Sequence, residues 1–392
     1  MWRDGSGMRM KSVWRIGWMA LSCCIAGMTV AAWSQQGSAG AAPGAQTPNP
    51  VLKQRQATRP KNMVIPDGTI QLNAVVTDPA GKPVMDLQPW DLKLLDNGKP
   101  GKILSFKKFD GVQVMPQPPV EVILVMDMVN LPFQQVAIVR QEVDQYLRRN
   151  GGHLEQPVSV ILLTDKGIRV QPRPSQDGNA VAQVVHGIEG NIRTLDPAMG
   201  AYGALERLQL SVKQMATIAE NEASKPGRKL LIWLGPGWPL LTRPDVGYYS
   251  QREQNRYFAT IVELSRSLRE AQIAVYSVGP VLNDSETRIF EYQAYVKGVK
   301  NANDAGTPNL ALGVLAEQTG GKVMTPDNDM SEQITRCVAE ANAYYRIGFD
   351  PPAAGHADEY HELKLVADRP GLTVRTTTGY YDEPAGAATG AQ

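Results

Sequence analysis

The chain has few cysteines and little net charge, and each scarcity excludes a class of protein. It has three cysteines in 392 residues, and two of them, Cys23 and Cys24, lie in an N-terminal apolar stretch. Cys337 is the single cysteine of the remainder, so no disulfide within that part can replace a buried core. The 40 basic and 39 acidic residues nearly cancel, which argues against a nucleic-acid partner held through counterion release.

Catalytic and metal-binding motifs are also scarce. The four histidines are scattered, and none has a second His or Cys at the spacing of a zinc site. The nucleophile motif Gly-x-Ser-x-Gly does not occur, and Gly235-Pro236-Gly237 lacks the later Gly and Lys of a phosphate-binding loop. We therefore expect a protein that is not an enzyme. A hydrolase with an unrecognised site is the alternative from a different class.

Residues 1–34 have the composition of a signal peptide. A basic segment precedes the uncharged residues 16–32, and small residues follow. Because this stretch approaches the length that spans a bilayer, an uncleaved membrane anchor is the alternative. Residues 35–66 contain no aromatic side chain and cannot bury enough apolar area to fold, so they predict a disordered linker, as does the tail 383–392. The expected location is periplasmic or secreted.

Two β-rich segments flank the middle of the chain, at residues 67–117 and 343–382. The first opens with apolar residues at every second position from Ile70 to Val76, the pattern of a half-buried strand. Asp96-Asn97-Gly98 predicts a hairpin turn that joins a strand at 92–95 to one at 103–109. Three strands are few for an independent domain, so we expect them to form one β-sandwich with the C-terminal strands. Two separate small β-units are the alternative.

The middle segment, residues 118–342, alternates apolar strands with amphipathic helices, which predicts a doubly wound, mostly parallel sheet. The expected strands are 122–127, 158–163, 230–234, 273–278 and 322–324, and the expected helices are 133–149, 202–223, 251–271 and one after Asp329. The predicted fold class is therefore α/β, with the parallel sheet inserted in the small β-sandwich.

Several short motifs, in their order, resemble the von Willebrand factor A-type (VWFA) domain, and more narrowly the VWFA-related proteins of acidobacteria. They are Thr77-Asp78-Pro79-Ala80-Gly81-Lys82-Pro83-Val84, Leu94-Leu95-Asp96-Asn97-Gly98, Val122-Ile123-Leu124-Val125-Met126-Asp127, Ala274-Val275-Tyr276-Ser277-Val278-Gly279 and Gly379-Tyr380-Tyr381. The resemblance implies a Rossmann-like fold and a role in binding other proteins.

The resemblance also implies a metal-ion-dependent adhesion site, but this sequence keeps little of it. The family's Asp-x-Ser-x-Ser loop survives here as Asp127 alone, because Val129 and Leu131 stand at the serine positions. Met199 stands at the family's threonine, and the loop after residue 234 has no carboxylate. We expect no cofactor, and we expect Asp127 to cap its own loop through backbone N–H groups. The alternative is Mg²⁺ or another divalent cation at a site rebuilt from Asp127, Asn130, Thr194 and Asp196.

The remaining candidates are contacts to a partner. Trp238, Tyr248 and Tyr249 lie in a long connection after the fourth strand, on the edge of the sheet where Asp127 is expected. With Asn130 they are the predicted partner-binding residues, although Trp238 could instead fold back onto the sheet. The predicted function is an exported, non-catalytic, adhesion-like protein-interaction module with a degenerate metal site. Metal-dependent adhesion through the rebuilt site is the alternative.

Overall fold

The computed structural model describes residues 69–111, 114–171, 173–187, 200–242, 247–281 and 291–382. The predicted signal peptide, linker and tail lie outside these ranges. Within the described part, no helix is both long enough and apolar enough to cross a bilayer.

The described strands and helices include those predicted from the sequence, in the predicted order, together with several short elements that were not predicted. The strands are β1 (Ile70–Thr77), β2 (Leu92–Asp96), β3 (Lys99–Pro100), β4 (Lys102–Phe109), β5 (Glu121–Asp127), β6 (His153–Thr164), β7 (Gly167–Val170), β8 (Ser175–Asp177), β9 (Lys229–Leu234), β10 (Ile273–Val278), β11 (Lys322–Val323), β12 (Tyr344–Asp350), β13 (Glu359–Ala367), β14 (Thr373–Arg375) and β15 (Gly379–Asp382). The α-helices are α1 (Phe133–Leu147), α2 (Gly178–His186), α3 (Gly200–Ala223), α4 (Gln251–Glu270), α5 (Leu312–Gln318) and α6 (Met330–Val338). Short 3-10 helices occur at Pro89–Asp91, Arg149–Gly152, Glu291–Tyr295, Ala302–Asp304 and Thr307–Leu310.

The central sheet has the order β11-β10-β9-β5-β6-β7, with β8 also paired to β6. The strands from β11 to β6 are parallel, and β7 and β8 are antiparallel additions. If these strands are numbered 1 to 6 along the chain, starting at β5 and omitting β8, their order across the sheet from β7 to β11 is 3-2-1-4-5-6. This is the strand order of a doubly wound sheet. The strand order reverses between β5 and β9, where Val125 lies opposite Trp233. Sheets of this kind bind ligands beyond the carboxyl ends of the strands at such a point.

Both faces of the central sheet are buried, which explains its nearly continuous apolar strands. In β5, Val122, Leu124 and Met126 face one core together with α1 and α6, while Ile123 and Val125 face a second core with α3 and α4. The predicted apolar stripe of α1, from Val136 to Leu147, is buried in the first core.

The flanking strands form two four-stranded sheets, β14-β1-β12-β4 and β15-β13-β2-β3. Each sheet mixes strands from both ends of the chain, and β1 pairs with β12 from Ile70↔Phe349 to Ala74↔Tyr345. Leu72, Leu94 and Leu363 belong to the core that these strands share. The predicted fold class is confirmed, and the alternative of two separate β-units is wrong.

The predicted hairpin is present with a different partner. Asn97 and Gly98 have φ angles of 47° and 77°, and the turn returns the chain to β3. The expected partner, β4, lies in the other sheet and pairs with β12 over its whole length. Strand β12 offers β4 more backbone hydrogen bonds than the five-residue β2 could offer. Strand β2 is also already paired with β13 on its other side. Local turn chemistry could not reveal this competition.

Candidate functional site

Asp127 is the last residue of β5 and lies at the point where the strand order reverses. Its carboxylate is fully buried. Oδ1 accepts hydrogen bonds from the backbone N–H groups of Val129 and Asn130 at 3.0 and 2.9 Å. Oδ2 accepts from Asn130 Nδ2 at 2.8 Å and from Trp233 Nε1 at 2.7 Å. The loop-capping role expected from the sequence is therefore present, and it is supplemented by two side-chain donors.

Each carboxylate oxygen has about two lone-pair sites that can accept a hydrogen bond, so these four donors occupy all the acceptor sites of the Asp127 carboxylate. Burial raises the pKa of Asp127, while the hydrogen bonds from Asn130, Trp233 and the backbone oppose that shift. Asn130 is itself held in place, because its Nδ2 also donates to Ser211 Oγ at 3.0 Å. The arrangement is a buried polar cluster, in which Asn130 Oδ1 has no hydrogen-bond partner among the described residues.

The described residues at this cluster do not fit a divalent cation, which requires six or more oxygen ligands. Val129 and Leu131 are 1 % and 2 % exposed and pack into the cores on opposite faces of the sheet. A Cβ at Gly235 would lie 3.0 Å from the Asp127 Cβ, so the loop after β9 closes directly over the carboxylate. Across the described ranges, no group of three or more His, Cys, Asp or Glu residues could hold a metal ion. Thr194 and Asp196 lie outside those ranges.

Three residues of this cluster are not among those predicted from the sequence: Trp233, Ser211 and Arg207. Ser211 is fully buried on α3, and Arg207 lies one turn earlier on the same helix. Burial lowers the pKa of Arg207, and the negative charge of Asp127 opposes that shift. Two features of the sequence could have indicated them. Arg207 and Ser211 are polar residues four positions apart within an otherwise apolar stripe of a helix, and Trp233 has an indole N–H that needs an acceptor in a buried strand.

Trp238 lies against the sheet, which is the alternative to a partner contact that the sequence left open. It is 6 % exposed, and its ring meets that of Trp233 edge-on with 5.1 Å between centroids. Burial of a large indole ring against apolar neighbours is more favourable in free energy than its exposure to solvent. Its Nε1 is buried and has no hydrogen-bond partner among the described residues.

The two tyrosines of the same connection have different environments. Tyr248 is 90 % exposed, whereas Tyr249 is half-buried and packs against Tyr257 with 5.1 Å between ring centroids. The Tyr249 hydroxyl is also 2.5 Å from Thr307 Oγ1. Tyr249 therefore anchors the connection, and Tyr248 projects from it.

Exposed aromatic side chains recur at this edge of the sheet. Phe133 opens α1 and is 68 % exposed, and Tyr202 in the first turn of α3 is 83 % exposed. Helices α1 and α4 follow the parallel strands β5 and β9, and α3 precedes β9 and runs antiparallel to it. The N-termini of all three helices therefore lie at the edge of the sheet where β5 and β9 end. We call Phe133, Tyr202 and Tyr248 the aromatic rim.

Comparisons with known proteins add a distant likeness only. No protein-family profile matches the chain, and no curated protein sequence does. The human COPII-coat protein Sec24c is 9 % identical over 68 % of this chain, with a TM-score of 0.32. The pilus adhesin SpaC from Lactobacillus rhamnosus GG is 11 % identical over 77 % of this chain, with a TM-score of 0.35. The VWA domain of SpRpn10 is 12 % identical over 56 % of this chain and 95 % of its own length, with a TM-score of 0.26.

The chain spans 44 % of the Sec24c chain and 43 % of the SpaC chain. Likeness at these TM-scores carries no argument about partner or activity.

Proposed function

We propose that the chain is an exported, non-catalytic protein-interaction module of the von Willebrand factor A type, which binds its partner without a metal ion. Export is inferred from the leader-like residues 1–34. The family assignment rests on the motif order and the 3-2-1-4-5-6 strand order. The narrower relationship to acidobacterial VWFA-related proteins is part of the same proposal and rests on the motifs alone.

The aromatic rim is the observation that carries the proposal. Three aromatic side chains that are at least two-thirds exposed begin or precede three helices at one edge of the sheet. Tyrosine and phenylalanine are enriched in protein interfaces because they bury large areas at a low cost in conformational entropy. The polar cluster at Asp127 lies on the same edge and fixes the loop that precedes Phe133.

The non-catalytic part of the proposal is supported by the state of the chemically active groups. The Asp127 carboxylate is saturated by protein donors and has no free lone pair with which to accept a proton from a substrate. Cys337 is 2 % exposed, and burial raises the pKa of its thiol, so the nucleophilic thiolate is disfavoured.

Site-specific photocrosslinking in the producing cell tests the proposal. A photoreactive phenylalanine at position 202 should form a discrete protein adduct that Phe133→Ser combined with Tyr248→Ser removes. Trp90, which is 75 % exposed on the β-sandwich, provides the matched control, and the same photoreactive residue at position 90 should not form that adduct. An adduct of equal yield from positions 90 and 202, or one insensitive to the rim substitutions, would refute the aromatic rim as the binding surface.

A further inference from the structure

Strand β4 lies at one edge of the four-stranded sheet β14-β1-β12-β4. It pairs with β12 on one side, and no backbone group within the described part of the chain bonds to its other side. An edge strand presents a row of unpaired N–H and C=O groups, and an extended segment of another chain can add to it as a further strand. The outer side of β4 is therefore open to strand pairing.

The length of β4 distinguishes it from the other edge strands. It has eight residues, whereas the strands at the remaining ends of the described sheets, β3, β7, β11, β14 and β15, have two to four residues. Very short edge strands are one means by which proteins prevent unwanted pairing. An eight-residue edge, with Lys102, Leu104 and Lys107 exposed, is long enough for a full strand to pair along it.

The charge of β4 limits which segments can pair with it. The strand contains three lysines and no acidic residue. Lys108 forms an ion pair with Asp110 at 3.8 Å, whereas within the described ranges no ion pair involves Lys102 or Lys107. Lysine on an edge strand opposes pairing with a similar strand, because like charges that face each other across a ladder are destabilising. The same lysines favour a strand that carries carboxylates.

The neighbouring strand places a second cation beside Lys107. Arg346 on β12 lies directly opposite Lys107 in the register, and the two cations lie 5.0 and 4.8 Å from the centroid of the Phe109 ring, respectively. Asp350, the one acidic residue of β12, lies opposite Lys102 at the far end of β4. Like charges directly opposite each other destabilise a sheet. A carboxylate placed beside Lys107 by a pairing strand would offset this repulsion.

We propose that β4 binds an acidic, extended segment of a partner protein by strand addition. Backbone hydrogen bonds to the outer side of β4 would supply the affinity, and carboxylates next to Lys102 and Lys107 would supply the specificity. A second copy of this chain is the less favourable occupant, because its β4 would bring three more lysines to the same edge. This surface belongs to the β-sandwich and is separate from the aromatic rim, so it goes beyond the proposed function.

A labelled peptide, fluorescein-Glu-Val-Glu-Thr-Glu-Val-Glu-amide, tests the proposal by fluorescence anisotropy with the full chain at low ionic strength. It should bind saturably, and its counterpart with lysine in place of glutamate should bind at least about tenfold more weakly. The acidic peptide with N-methyl groups on threonine and on the next glutamate keeps its charge, but on each edge a methyl group replaces a donor. It should also bind about tenfold more weakly, because it loses a backbone hydrogen bond and the methyl group obstructs pairing.

Charge reversal on the strand provides a second measurement. Lys102→Glu combined with Lys107→Glu should weaken binding of the acidic peptide about tenfold. Lys93→Glu combined with Lys364→Glu is the matched control, because it reverses two exposed charges on the other sheet of the β-sandwich. It should change the affinity by less than about twofold, since solvent and salt screen distant charges. Bound peptide should also slow amide hydrogen exchange within residues 102–109.

Equal binding of the N-methylated peptide would overturn strand addition, and equal binding of the lysine peptide would overturn the preference for acidic segments. Exchange protection confined to residues outside β4, or equal effects of the two double substitutions, would also overturn the proposal. A concentration-dependent dimer of the chain that the substitutions at positions 102 and 107 abolish would instead assign this edge to a second copy.

Discussion

The indole Nε1 of Trp233 lies 2.7 Å from Asp127 Oδ2 and donates a hydrogen bond to it across the two neighbouring strands at the centre of the sheet. The strand that carries Trp233 is followed by Gly235, which packs on the Asp127 side chain. A protein donor thus occupies one of the acceptor positions that a metal ion would need.

Trp233→Phe should destabilise the fold more than Trp238→Phe. Both indoles are buried and touch each other, so the two substitutions remove similar apolar volume. Only Trp233 donates a hydrogen bond to a described residue, and its loss leaves a buried carboxylate oxygen short of a donor. We expect the free energy of unfolding to fall by about 1–3 kcal/mol more for Trp233→Phe, as measured by urea denaturation. Equal losses would show that the indole–carboxylate bond contributes nothing.

Divalent cations should not stabilise the chain. After treatment with a chelator, the thermal midpoint should be the same with and without millimolar Mg²⁺, Mn²⁺ or Ca²⁺, because four protein donors already surround Asp127. A site filled at a hundred times its dissociation constant would add about 2.7 kcal/mol and raise the midpoint by roughly 5–10 °C. A rise of that size that disappears in Asp127→Asn would instead support metal-dependent adhesion.

Arg375→Met should weaken the attachment of the β-sandwich to the central sheet. Arg375 on β14 forms an ion pair with Glu340, which is 15 % exposed, and donates to the Gly321 carbonyl at 2.9 Å. Removing it leaves a largely buried carboxylate without its cation, at a cost of about 3 kcal/mol. Arg369→Met is the matched control, because its ion pair with Asp86 is exposed to solvent and should contribute little to stability. Similar losses of unfolding free energy for the two variants would contradict this account.

Two glutamates should respond to pH with opposite signs. Burial raises the pKa of Glu121, and the hydrogen bond from Ser159 Oγ opposes this shift only in part. The ionised form of Glu121 therefore lowers the stability of the fold, and this loss develops as pH rises through the folded-state pKa. Hydrogen bonds from the Ser250 side chain and backbone lower the pKa of Glu253, so its contribution is present at neutral pH and is lost as pH falls through the folded-state pKa.

Relative to wild type at pH 8, Glu121→Gln should therefore be more stable and Glu253→Gln less stable. Both differences in stability should shrink as pH falls. The Glu121→Gln difference should shrink as pH approaches the pKa of an unfolded glutamate, near 4.5, and the Glu253→Gln difference should shrink below that value. Unfolding midpoints in urea between pH 3 and pH 8 provide the measurement. A difference of the same sign for the two variants would contradict the assigned causes.

Much of the fold could be predicted because its patterns are local. Strand β10 begins and ends where the apolar run predicts, and α3 begins two residues before the predicted position. The short elements α2, α5, β7 and β8 were missed, because segments of three to nine residues contain too few periods of any pattern. The partner of β4 was missed because it lies more than 230 residues away in the sequence.

The candidate site was only partly predictable. The capping role of Asp127 followed from its position, since its partners Val129 and Asn130 are two and three residues away. Its other donor, Trp233, and the support of Asn130 by Ser211 come from a neighbouring strand and from a helix packed over the sheet. The fate of Trp238 likewise depended on a contact between two rings that sequence spacing does not reveal.

The sequence by itself determined that Val129 and Leu131 offer no side-chain oxygen beside Asp127, because their side chains are hydrocarbon whatever the fold. It also determined the alternation of strands and helices, since hydrophobic periodicity acts over a few residues. Only the tertiary structure decided that a donor from β9 also binds Asp127, that Gly235 packs on its side chain, and that Trp238 is buried while Tyr248 faces solvent. These outcomes depend on packing between segments about a hundred residues apart, and local pattern carries no information about such contacts.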